Sequence, residues 1–191
     1  MNLNIIEDEP AALLDMKVAF IDRAIEDGRL TIVNRIFAAT NEDNKNDSVA
    51  NIGGFEINRR QFKGLDVNGL VSEGIIDGFF KLLQTRNPRT YFFPVCFYSI
   101  LTDQFLSTGC IGYEYFRKWF KNLQIFDYDL IIIPCIINNN HWILVTINCH
   151  YKEIKYYDTL NGSGQEVKRN IFEWLKQFSI VRYGTELKEN E

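Results

Sequence analysis

Residues 129–158, DLIIIPCIINNNHWILVTINCHYKEIKYYD, hold three apolar, β-branched runs of strand length separated by short polar breaks. No other stretch limits the possible folds so strongly. A His-Trp pair, His141-Trp142, opens the second run and Asp158 closes the third. Both histidines of the chain, His141 and His150, lie here, so any imidazole chemistry is done from this segment.

The segments ahead of it read mainly as helices. Pro10 suits a first helical turn, Leu14, Val18, Ile21 and Ile25 recur at helical spacing, and Gly28 supplies a stop, which predicts a helix over about 10–27. Leu30 to Ala39 is ambiguous between strand and helix. The polar run from Thr40 to Ala50 has little to bury and reads as a linker or long loop. After Gly53-Gly54, FEINRRQFKGL predicts a short strand turning into a helical turn. Ser72-Glu73 can cap a helix that turns Ile75, Ile76, Phe79, Phe80, Leu82 and Leu83 inward, and Pro88 stops it. Tyr91 to Pro94 reads as extended, and Val95 to Leu106 as a helix. Tyr113 to Leu123 reads as an amphipathic helix with Tyr115, Phe116, Trp119 and Phe120 on its apolar side. Beyond the three strand candidates, NGSGQ predicts a turn into a helix at about 165–178, followed by a strand from Ser179 to Tyr183 and a charged tail. Helices grouped ahead of a compact set of strands predict an α+β fold with a mainly antiparallel sheet.

With 191 residues, 46% of them apolar and including 15 Phe and 9 Tyr, the chain has the means to bury a core. We divide it at residue 50, with an N-terminal helical extension and linker over 1–50 and one domain over 51–191. A net charge of −4 with scattered Lys and Arg gives no footprint for nucleic acid or an anionic membrane. Cys96, Cys110, Cys135 and Cys149 form no metal-ligand spacing and no secretory signal precedes them, so we expect no metal and a reduced intracellular setting, nucleus or cytoplasm. The longest apolar run, Leu130 to Ile137, is broken by Pro134 and falls short of the ~18 residues of a membrane span.

His141 and Asp158 are brought together only if the connection between their strands has the right parity. With a four-residue loop, Cys149 to Lys152, Asn148 pairs with Glu153 and Asp158 becomes a diagonal neighbour of His141 on the same face. A two-residue turn at Cys149-His150 puts the two directly opposite, and any odd loop separates them. A His whose Nδ1–H is held by a carboxylate has a fixed tautomer and a more stable imidazolium, as a general base requires. The plainer reading is a His at a strand end beside an Asp that caps the turn Thr159-Leu160-Asn161-Gly162.

The pattern D-x-x-x-x-P-x-x-x-x-x-x-HW-x-L-x-x-I followed by I-x-Y-x-D-[ST]-L, from Asp129 through His141-Trp142 to Asp158-Thr159-Leu160, resembles the ubiquitin-like-protein-specific (sentrin-type) cysteine proteases that deconjugate SUMO. LVSEGIIDGFFKLL, FPVCFYSIL and FRKWFKNLQIFDYD are similar to further segments of that family, so the resemblance covers roughly residues 54–183. It implies a papain-like cysteine-protease core and needs no cofactor. It also implies a SUMO-type ubiquitin-like protein as partner, His141 as base, Asp158 as its orienting acid, and Trp142 as one wall of a tunnel for a Gly-Gly tail. A flat indole wall can exclude any side chain larger than hydrogen.

Some positions depart from the family pattern. Leu70 stands where the family has its other tunnel Trp, Glu73 where it has Asp, and Ile136 where it commonly has Asn, so tail recognition is expected to be weakened or altered. The family's oxyanion Gln and its nucleophilic Cys in a D-C-G sequence have no match, and neither Gln165 nor Gln177 takes the oxyanion role. We therefore expect a C-terminally incomplete domain, inactive as a thiol peptidase. The alternatives are a non-catalytic module that binds a ubiquitin-like protein or another partner and, ranked lower, a YopJ-type acetyltransferase, which would need a Lys- and Arg-rich inositol-phosphate site that is not evident here.

Overall fold

Leu130–Ile137, His141–Asn148 and Glu153–Tyr157 form three antiparallel strands, β5, β6 and β7, at the centre of the sheet. The structure, a computed structural model, describes residues 2–5, 36–37, 41–66, 69–108, 116, 118–138 and 140–189. The expected helix over 10–27, nearly all of the ambiguous stretch after it, and Cys110 lie outside the described residues. Two compact units are formed, one from residues 1–11 with 89–191 and the other from 12–88.

In the first unit the three central strands are joined by a short strand β4 (Thr90–Phe92), by β1 (Asn2–Ile5) and by β8 (Lys188–Glu189), in the order β4-β5-β6-β7-β1-β8. The sheet is mixed, because β4 pairs parallel with β5, and β1 pairs parallel with both β7 and β8. Helix α3 (Cys96–Thr108) carries the chain on from β4, and helix α4 (Gln165–Tyr183) follows β7. The result is α+β, with the expected antiparallel centre flanked by parallel pairings.

Burial of the odd-numbered positions sets the register of the centre. Ile131, Ile133 and Cys135 on β5 face Ile147, Val145 and Ile143 on β6, and all six are buried. On β7, Ile154 and Tyr156 continue that face. Against it pack Phe93, Phe97, Phe116, Phe120 and Trp174, with ring centroids 4.3 Å apart for Phe93–Phe97 and 4.9 Å for Phe97–Trp174. Pro134 is tolerated inside the sheet for a geometric reason. Ile132 turns its carbonyl toward β4, where it accepts from the Phe93 N–H at 2.9 Å, so the Pro134 nitrogen two residues on faces the same side, beyond the last β4 pairing.

The second unit contains a hairpin of β2 (Ser48–Ile52) and β3 (Phe55–Asn58), whose turn uses Gly53 and Gly54 at positive φ. The expected linker therefore ends as a strand. Helix α1 (Arg59–Lys63) follows with a capping box, Asn58 and Gln61 each bonding the other's backbone N–H. Helix α2 (Glu73–Arg86) ends ahead of Pro88 as expected.

The structure differs from the sequence expectations at several points. Ser72 holds the N-cap position of α2, but its side chain makes no capping bond. Leu82 is 47% exposed, because two residues on from buried Phe80 it falls on the opposite side of the helix. Trp119 is 48% exposed, its ring edge touching Phe116 and Phe120, which occupy the buried side. Within the helix expected over 113–123, Phe116 is helical and residues 118–122 form turns. The strand expected at Ser179 to Tyr183 is instead the end of α4. There Phe178 and Ser179 are buried while Ile180 and Val181 face outward, so helical burial overrides the β propensity of the branched pair. Gly184, at φ 65°, closes the helix by donating its N–H to the Ile180 carbonyl.

Candidate active site

His141 is the first residue of β6 and lies opposite Ile137 of β5. Across the other edge, Asn148 pairs with Glu153 and Leu144 with Tyr157, so the β6–β7 connection is the four-residue loop Cys149 to Lys152. That even loop puts Asp158, the residue just after β7, diagonally beside His141 on the buried face. The contact is made: His141 Nε2 lies 2.5 Å from Asp158 Oδ1. The held nitrogen is Nε2 and not the Nδ1 of our expectation, because the ring reaches Asp158 with its far edge. Nδ1 is then the nitrogen from which a base would act.

Asp158 also caps the turn after β7. Its Oδ1 accepts from the Leu160 N–H at 2.8 Å, and its Oδ2 accepts from the Tyr156 hydroxyl and the Gly162 N–H, both at 2.9 Å. The side chain is only 4% exposed, against 19% for His141. Burial alone would raise the carboxyl pKa, but the four donors (Leu160, His141, Tyr156 and Gly162) outweigh it and hold Asp158 at about 2. It is a permanent anion at neutral pH, suited to fixing an imidazole tautomer and stabilising an imidazolium.

The turn is built for close approach. A Cβ on Gly162 would sit 2.5 Å from Asp158 Oδ2 and 3.3 Å from the Tyr156 hydroxyl, and one on Gly164, at φ 59°, would sit 2.4 Å from the Tyr156 ring. Tyr156 is a candidate site residue that the sequence reading left without a role, and Gly162 entered that reading only as part of the turn. Their signal was in the quoted I-x-Y-x-D-[ST]-L pattern and in the glycines that follow it.

Of the other candidates, Trp142 points to the opposite face of β6 from His141 and is half-buried. Leu70 and Glu73 belong to the second unit, Leu70 being 78% exposed and Glu73 lying in the first turn of α2. Cys135 shares the face of His141, two pairs further along β5, but it is fully buried and burial pushes its thiol pKa well above the ordinary value. Cys149 sits at the far end of β6 from His141, and burial, with a contribution from Asp129, raises its thiol to about 11. Cys96 is half-buried at the first residue of α3.

Residues 71–183, more than half of the chain, match the family described as Ulp1 protease family, C-terminal catalytic domain. The chain belongs to the Ulp1 protease family. Among relatives, it is 29% identical over 136 residues to ubiquitin-like-specific protease 1 of Saccharomyces cerevisiae, which covers 70% of this chain and 21% of that protein. It is 25% identical over 117 residues to human sentrin-specific protease 2, covering 61% of this chain and 19% of the relative. The chain thus spans about a fifth of these relatives' length. A solved structure of the C-terminal Ulp1 protease domain in complex with Smt3, the yeast ortholog of SUMO, superposes with a TM-score of 0.66 at 27% identity, covering 84% of this chain and 71% of the other. A second, of Ulp1 with its catalytic cysteine oxidised to a sulfenic acid, also gives 0.66, at 25% identity and 83% and 70% coverage. The architecture is the α+β, papain-like one of Ulp1 family members. Among the described residues no helix is long and apolar enough to cross a membrane.

Proposed function

We propose that this chain carries the base and orienting acid of a cysteine-type peptidase that processes or deconjugates a SUMO-type ubiquitin-like modifier after its Gly-Gly tail. The observation that supports this most is the contact of His141 with Asp158 inside the segment matched to the family's catalytic domain. On this reading residues 51–191 supply the peptidase-type domain, with 1–50 as an extension. Trp142 contributes to tail binding, and the protein works inside the cell, in nucleus or cytoplasm. His141 would take a proton through Nδ1 while Asp158 holds Nε2.

The positions of two described thiols support a second reading, in which this 191-residue chain binds the modifier without turning it over. Cys135 is unreachable and Cys149 is at the wrong end of β6. Both readings are tested with one reagent pair. A SUMO-type vinyl-sulfone probe should give no covalent adduct, whereas unmodified SUMO ending in Gly-Gly should bind measurably by calorimetry. Trp142→Ala should weaken that binding about tenfold. A His141-dependent adduct would overturn the expected inactivity, and the absence of both binding and adduct would overturn the modifier as partner.

A further inference from the structure

Of the four donors to Asp158, Tyr156 is the one that reaches it from β7 with a buried side chain. Its ring is buried beneath Gly164, and its hydroxyl donates to Oδ2 while Gly162 donates to the same oxygen. A carboxylate rotates about its Cβ–Cγ bond unless its two oxygens are held differently. Here Oδ2 is occupied from the interior and Oδ1 is left to the imidazole and the Leu160 N–H. We propose that Tyr156 is a positioning residue for the His141–Asp158 pair: by taking Oδ2, its hydroxyl fixes Oδ1 as the oxygen presented to His141 Nε2. The imidazole is thereby held with its proton on Nε2 and the lone pair of Nδ1 available as base.

The catalytic meaning of this arrangement rests on His141 acting as the base, as proposed above. The experiment reads the imidazole itself and needs neither turnover nor modifier binding, so a failed adduct or binding assay leaves its result standing. Nitrogen-15 NMR of the full chain at a pH where His141 is neutral should show Nε2 protonated and Nδ1 bare. In Tyr156→Phe the separation between the two nitrogen shifts should fall to about half or less as the tautomers mix. His150, exposed in the β6–β7 loop, is the internal reference and should not move.

Tyr98→Phe is the control for loss of any buried phenol hydroxyl. Tyr98 is also buried and accepts from Asn170 Nδ2 at 3.3 Å, so its loss should lower stability and leave the His141 shifts in place. Should Tyr156→Phe fail to fold, Gly162→Ala presses on the same oxygen and hydroxyl without changing the tyrosine, and the same collapse is expected. A wild-type imidazole protonated on Nδ1, or His141 shifts unchanged in a folded Tyr156→Phe or Gly162→Ala, would overturn the proposal.

Discussion

At the scale of single residues, Asp158 makes an electrostatic contribution that can be read from pH. Its pKa falls from an ordinary 3.8 to about 2 in a nearly buried site, which corresponds to about 2 kcal/mol of stability. Because the folded-state value is the lower one, the unfolded chain takes up the proton first. The contribution is whole above about pH 4 and fades as pH falls toward 2. Urea unfolding of wild type and Asp158→Asn should therefore differ by about 2 kcal/mol at pH 7 and by much less at pH 2.5. A constant gap would mean that the carboxylate is not preferentially held in the fold. The partnership of His141 and Asp158 was legible in the sequence because side-chain parity in a hairpin depends only on loop length. The nitrogen that would be held was not, since it depends on how far the ring must reach. Nor was the role of Tyr156, because a tyrosine in an alternating strand reads as core.

At the scale of elements, the turn between β7 and α4 is closely constrained. Gly164→Ala would place a methyl group against the Tyr156 ring and force a left-handed backbone on an alanine. The expected cost is roughly 3 kcal/mol, read as a lower urea midpoint with an unchanged slope. Ser163→Ala, in the same turn but exposed, should change stability by less than about 0.5 kcal/mol. The strands β5 to β7 were legible because β-branched runs with short breaks leave few other arrangements. The end of α4 was misread for the opposite reason. Ile180-Val181 looks like a strand locally, and only the burial of Phe178 and Ser179 against the rest of the unit shows that the helix continues. The outward turn of Leu82 has the same origin, since a helix presents one face and a run of apolar residues does not say which.

At the scale of the whole molecule, the mainly antiparallel sheet also carries parallel pairs at its flanks, which were not legible because partners such as β1 come from remote sequence that no local pattern announces. The cysteine placement can be checked on the intact chain. Iodoacetamide at pH 8 should leave Cys135 unmodified in the native protein and label it fully in denaturant, as read by mass spectrometry. Labelling of native Cys135 would reopen it as a candidate nucleophile. The central meander also sets an order of events. His141 and Asp158 are only 17 residues apart and are joined through neighbouring strands, whereas the pairing of Asn4 with Glu153 spans most of the chain. Local contacts close faster than distant ones. Pulse-labelled hydrogen exchange should thus protect the amides of β6 before those of β1, so that the imidazole and its carboxylate meet while the N-terminal strand is still undocked.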